Sequence, residues 1–249
     1  MKRVLTLFLF LLLALPCASP AASLDFGMAP GVITISTFYN GTNVTVSGAV
    51  PDGAQVVVRF SGVPEKVAMK QKGKAFGLLW MNMNTLHFSG VPKVFLVESS
   101  APLKDLGVAG PSIGLTGLMD KIGIEPDTAD RSMLLPELVK LKKSEGLYRE
   151  GNSAVTLGDK SGELRQFTAK MAIPSRLSPG SYALEVFAVK DGVILAQASQ
   201  PLDAKMTGIP ALMADLAFNH AVWYGILASV IAIMAGLGIG LVFQSKGAH

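Results

Sequence analysis

The chain has 249 residues, half of them apolar, and a mean hydropathy of +0.44. Its formal charge of +4 falls to +2 without Lys2 and Arg3, too little to suggest nucleic acid or strong attraction to anionic lipid. The only cysteine is Cys17, so the chain can form no internal disulfide.

The apolar excess sits at the two ends. At the start, Lys2 and Arg3 precede an apolar run over residues 4–15, short for a bilayer span but right for the core of a signal peptide. Ser19 and Ala21 fit the small positions of a cleavage site, so residues 1–21 are expected to be removed. Cys17 follows Pro16, a poor context for lipidation, and its loss with the signal leaves a mature chain without thiol chemistry.

From Val32 the pattern is strand-like. "VITIS" and "NVTVSGAV" alternate and are rich in β-branched residues. A Pro-Asp-Gly turn at 51–53 leads to a further run over residues 55–60. "AFGLLWM", "TLHF" and "KVFLVESS" continue at a spacing of about ten residues, which predicts an immunoglobulin-like β-sandwich without the Cys-Trp-Cys signature.

Helical spacing replaces alternation at about 107–150. Ile113, Leu115, Leu118, Met119 and Ile122 can share one face, and Leu134, Leu138, Val139 and Leu141 another. Asp127 or Thr128 is the expected cap of the second helix. Lys140, Lys142 and Lys143 read as a solvated face. Strands then return, closing on a hairpin about Lys190-Asp191-Gly192, with one buried face expected. The fold class is therefore mainly β: one exported immunoglobulin-like sandwich over 22–207 with a helical insertion at about 107–150, plus one C-terminal transmembrane helix. The alternative is two small β domains.

A juxtamembrane helix is expected over 208–220, with Pro210 in its first turn. Residues 221–243 carry no charge and are long enough to span a bilayer. Trp223 and Tyr224 stand where an interfacial belt belongs, and Lys246 follows the span, which puts a short tail at 244–249 in the cytoplasm. An unbroken helix from Pro210 to Phe243 would be about 51 Å long. Within the span, Ala228, Ala232, Gly236 and Gly240 recur every four residues, a small-residue packing face for another helix.

No catalytic residue is assigned. The three histidines, His87, His220 and His249, are far apart, and nucleophile-elbow and P-loop patterns are absent; an enzyme is not expected, nor a cofactor. "GLLWMNMNTLHF" poses the sharper question. Met81, Met83 and His87 have the same parity on one strand, and thioethers with a histidine suit Cu(I). On a straight strand His87 lies roughly 13 Å from Met83. The competing reading is a core strand in which Trp80 fills the interior and Gly77 permits close packing. No metal site is assigned; these three residues, with Trp80, are the candidates should the domain bind a periplasmic solute or copper.

The stretch "GLLWMNMNTLHFSGVPKVFLVESSAPLKDLG" resembles an uncharacterised bacterial family of transmembrane proteins first described from alphaproteobacteria. The resemblance is carried by Gly77, Leu79, Trp80, Met81, Asn82, Phe88, Val91, Pro92 and Phe95, and by "ISTFYNGTNVTVSGAV" and "LSPGSYALEVFAVKDG". It implies a signal peptide, a periplasmic β domain and a C-terminal membrane helix, but no activity. The Met81 position also accepts Val in the family, which disfavours an obligatory sulfur ligand there. The family's association with sulfite-exporter-type permeases implies an accessory role beside such a transporter in the inner membrane. The partner is then another membrane protein or a second copy of the chain.

Overall fold

The computed structural model describes residues 24–75, 78–126 and 130–244. The expected signal peptide 1–21, Gly77, the cap candidates Asp127 and Thr128, and the tail beyond Gln244 lie outside these residues.

Thirteen strands are described. In chain order they are β1 (Phe26–Ala29), β2 (Val32–Ile35), β3 (Thr42–Pro51), β4 (Gln55–Gly62), β5 (Pro64–Ala75), β6 (Leu79–Pro92) and β7 (Phe95–Ser99). After a helical region come β8 (Gly123–Glu125), β9 (Tyr148–Gly151), β10 (Val155–Ser161), β11 (Leu164–Ile173), β12 (Gly180–Lys190) and β13 (Val193–Met206). Five helices are α1 (Ala109–Ile113), α2 (Leu115–Lys121), α3 (Arg131–Ser144), α4 (Ile209–Asn219) and α5 (Ala221–Gln244).

Two sheets form a sandwich. One has the order β1-β3-β11-β10, the other β2-β13-β12-β4-β7-β9. Alternation turns Val44, Val46 and Val50 of β3 and Phe167, Ala169 and Met171 of β11 inward. They meet Val56, Val58 and Phe60 of β4 and Leu184 and Val186 of β12 in one core. Each sheet mixes early and late strands: β3 pairs with β11 from Thr42↔Ile173 to Pro51↔Leu164, and β4 pairs with β12 from Gln55↔Val189 to Gly62↔Tyr182.

The tight turns follow from their residues. Gly53 has φ 79°, and Asp191 and Gly192 have φ 52° and 80°. Positive φ at both central positions is what a two-residue hairpin turn requires, and Asp-Gly supplies it between Lys190 and its partner Val193.

The helical region packs on the outer face of the six-stranded sheet. There Val57, Val97, Phe187 and Val189 meet Leu106, Ile113, Leu115, Leu118, Leu135, Leu138 and Val139 in a second core. This corrects the expectation that β12 buries one face: Val186 and Ala188 point into the sandwich while Phe187 and Val189 point under the helices. On α3 the buried positions are Leu135, Leu138 and Val139, and Leu141 is exposed. Asp130 caps α3, its carboxylate accepting from the N–H groups of Ser132 and Met133. The Ser132 hydroxyl and these N–H groups hold that carboxyl below its usual range.

The segment that leaves the sandwich forms two helices, so the continuous rod of about 51 Å from Pro210 to Phe243 does not arise. His220, at φ −133° and ψ 47°, ends α4. These dihedrals lie outside the helical region, and α5 begins at the next residue.

Candidate functional site

β5 and β6 form a ribbon that interrupts the β4–β7 pair. β4 ends at Gly62, β5 begins at Pro64, β6 ends at Pro92 and β7 begins at Phe95. Pro64 pairs with Pro92 at the root, and Ala75 with Leu79 at the far end. Twelve residues of β5 span about 40 Å at the usual rise. Near the root the ribbon belongs to the second core. Val67 and Met69 of β5 pair with Phe88 and Leu86 of β6, which are buried against the helices. β8 extends this part of the sheet through His87↔Glu125 to Ser89↔Gly123.

Beyond Lys70↔Thr85 the described ribbon residues are exposed or half-buried. Gln71 pairs with Asn84 and Lys72 with Asn82, so Met83 is an extra residue, a β-bulge. The bulge changes the face arithmetic. β5 keeps strict alternation, so Val67, Met69 and Gly73 share one face and Ala68, Lys70, Lys72 and Lys74 the other. Met81 lies opposite Gly73, but His87 lies opposite Ala68. The two are therefore on opposite faces, correcting the shared face that parity predicted. Met83 covers Gly73: a Cβ built there would stand 2.7 Å from the Met83 Cγ. A side chain at position 73 would displace Met83, a close approach that glycine alone permits.

The expected core strand is also corrected. Leu79, Met81 and Met83 are 69%, 50% and 53% exposed, and Leu78 is 84% exposed. They extend the apolar face that Leu86 and Phe88 bury at the root. The opposite face carries Lys66, Lys70, Lys72 and Lys74, all exposed. Across from them stand Thr85 (opposite Lys70), Asn82 (opposite Lys72) and Trp80 (opposite Lys74). No Asp or Glu occurs between Glu65 and Glu98. The ribbon thus has a methionine–leucine face and a lysine face.

A cavity of about 720 Å³ lies beside the ribbon root, lined by Arg59, Ser61, Ser112, Tyr182, Glu185 and others. Two of its charges, Arg59 and Glu185, are committed to each other. Arg59 makes a bidentate pair with Glu185, at 2.7 Å from Nε and 3.0 Å from Nη2, and donates from Nη1 to the Ile113 carbonyl. Its guanidinium also stacks 4.8 Å above the Phe187 ring. Arg59 therefore ties the helical layer to the sheet. The Tyr182 hydroxyl donates to the Ser178 carbonyl at 2.6 Å, and burial pushes its pKa up to about 12. Among the described residues no group of three His, Cys, Asp or Glu side chains is placed to hold a metal ion.

Residues Ala221–Leu241 have a mean hydropathy of 2.1 and no buried positions. Trp223 and Tyr224 are exposed at the start of this span. Ala228, Ala232, Gly236 and Gly240 line one side of α5, and space is open around the two glycines. α4 is apolar too, with Ile209, Leu212 and Phe218 exposed.

A mainly β chain ending in one apolar helix of spanning length defines a membrane-anchored β protein. The family model described as "Putative transmembrane protein (Alph_Pro_TM)" matches residues 23–245, and the chain belongs to this family. Neither the curated proteins nor the solved structures contain a match to the chain. The sequence singles out Met81, Met83 and His87, and Lys70, Lys72 and Lys74 as a basic stretch before Trp80; that these lysines share one exposed face comes from the strand pairing.

Proposed function

We propose that this is a non-enzymatic, single-pass protein of the bacterial inner membrane. Its β domain stands on the periplasmic side as an accessory subunit of a membrane transporter or complex. The observation that carries this reading is the shortness of the connection between domain and bilayer. Only Thr207 and Gly208 separate β13 from α4, and only His220 separates α4 from α5. Eleven residues of α4 measure about 16 Å. A domain held that close works on what lies at the membrane surface, not on a distant ligand. Lys246 beyond the span and the signal-like first 21 residues support the periplasmic placement of the domain.

The stripe Ala228, Ala232, Gly236 and Gly240 is the proposed packing face for the partner's helix. The resemblance to a family associated with sulfite-exporter-type permeases points to such a permease; a second copy of the chain is the other occupant. Affinity purification of the tagged full chain from native membranes is expected to recover a multi-span membrane protein. Gly236→Leu fills the stripe and is expected to abolish that recovery while leaving expression intact. Recovery unchanged by Gly236→Leu would remove the stripe from the interface, and recovery of no membrane protein would end the accessory reading.

The Cu(I) reading keeps one supporting observation, the exposure of Met81 and Met83 on one face. It has lost His87 to the other face. Stoichiometric Cu(I) uptake by the full chain in detergent, abolished by Met81→Ala with Met83→Ala, would restore it.

A further inference from the structure

The ribbon and the membrane stalk leave the sandwich at the same end. Gly62 of β4 pairs with Tyr182 of β12, which pairs with Leu202 of β13. β4 therefore ends at the level of Leu202, and β13, running parallel to it, continues past that row through Met206 toward α4. One strand, β12, lies between them, so the end of β4 and Leu202 of β13 are about 10 Å apart at the usual strand spacing. The short stalk holds this end of the sandwich near the bilayer, and the ribbon is longer than the stalk.

We propose that the outer half of the ribbon, residues 71–75 and 78–84, docks on the anionic surface of the membrane that anchors the chain. Leu78, Leu79, Met81 and Met83 enter the headgroup–acyl boundary, and Lys66, Lys70 and Lys72 meet the phosphates. The chemistry is matched on both sides. Exposed Leu and Met side chains gain from leaving water. Lysines reach outward to headgroups while their alkyl stems lie along the apolar layer. The absence of Asp and Glu from residues 66–97 removes the repulsion that a carboxylate would meet at an anionic surface. A protein groove could accept the apolar face, but the lysines of the outer ribbon fit lipid phosphate better; the carboxylate on their face, Glu125 opposite His87, stands on β8 at the root and outside the outer half. This inference rests on the membrane anchor and not on any partner protein, so failure to recover a permease leaves it standing.

The chain has two tryptophans, Trp80 and Trp223. In the Trp223→Phe background Trp80 reports the ribbon alone. The full chain is reconstituted, β domain outward, in phosphatidylglycerol–phosphatidylcholine vesicles carrying acyl-brominated lipid, and in matched vesicles of phosphatidylcholine alone. Trp80 emission is expected to be quenched in the first and largely spared in the second. High salt weakens the quenching. Lys70→Glu with Lys72→Glu is expected to reduce it to the phosphatidylcholine level, and Met81→Asp with Met83→Asp to abolish it. These side chains lie outside both cores, so the variants keep the wild-type melting profile, which is measured alongside. Absence of quenching in anionic vesicles overturns the proposal. So does quenching indifferent to the lysine changes, and so does lipid-free crosslinking of the ribbon to a co-purifying protein.

Discussion

Tyr148 shows how one hydroxyl fastens the ribbon root to the sheet. Its ring is buried against Phe95, and its hydroxyl donates to the Pro92 carbonyl at 2.8 Å. Tyr148→Phe keeps the packing but strips that carbonyl of its donor, and is expected to cost about 1–2 kcal/mol in denaturant unfolding. The same residue sets an alkaline limit. Burial raises the Tyr148 hydroxyl, helped by the nearby Glu65 charge, and burial raises Tyr182 to about 12. In the unfolded chain both titrate near 10. The unfolded state then binds fewer protons than the folded one, so stability is complete below pH ~10 and falls as pH rises toward 12. Urea midpoints measured across this range should fall less steeply in Tyr148→Phe than in the wild type. At this scale the turns were legible, because Asp-Gly acts on its own backbone. The α3 cap was not: the sequence points to Asp127 or Thr128, and the cap is Asp130, whose carboxylate accepts from the Ser132 and Met133 N–H groups.

The ribbon is where element-level reading stopped. Its residues alternate as a strand should, and an apolar strand in a sandwich sequence reads as core. Nothing local says that the hairpin outruns the layer it packs on. Nor does the sequence announce the bulge at Met83, because register is settled by the partner strand; that one extra residue moved His87 to the other face. The element's independence gives a direct expectation. Replacing residues 72–83 with Asn-Gly joins Gln71 to Asn84 through a two-residue turn. It removes no described side chain of either core, so the unfolding free energy should change by no more than about 0.5 kcal/mol. A larger loss would mean that the outer ribbon packs on the domain. By contrast Phe60→Ala empties a position stacked 4.9 Å from Tyr182 in the sandwich core and should cost about 3–5 kcal/mol.

For the whole molecule, the mainly β class and the terminal membrane helix were legible because both rest on long, periodic stretches. Net charge was a poor guide. A total near neutrality conceals a segment with five lysines and no carboxylate, residues 66–97, and only the strand pairing shows that four of them share one face. The second core was hidden for a related reason: helix and strand periods were each readable, but which sheet face the helices cover depends on topology.

The interleaving of the two sheets has a bearing on how the protein is made. β3 finds its partner β11 more than a hundred residues later, and the six-stranded sheet is incomplete until β13, the strand next to the anchor, has been delivered. Closing such distant pairs is slow. The six-stranded sheet therefore cannot be completed until β13, made just before the membrane helix, is available. A chain ending at Gly192 should consequently be degraded by protease as an open polypeptide, whereas one ending at Thr207 should resist.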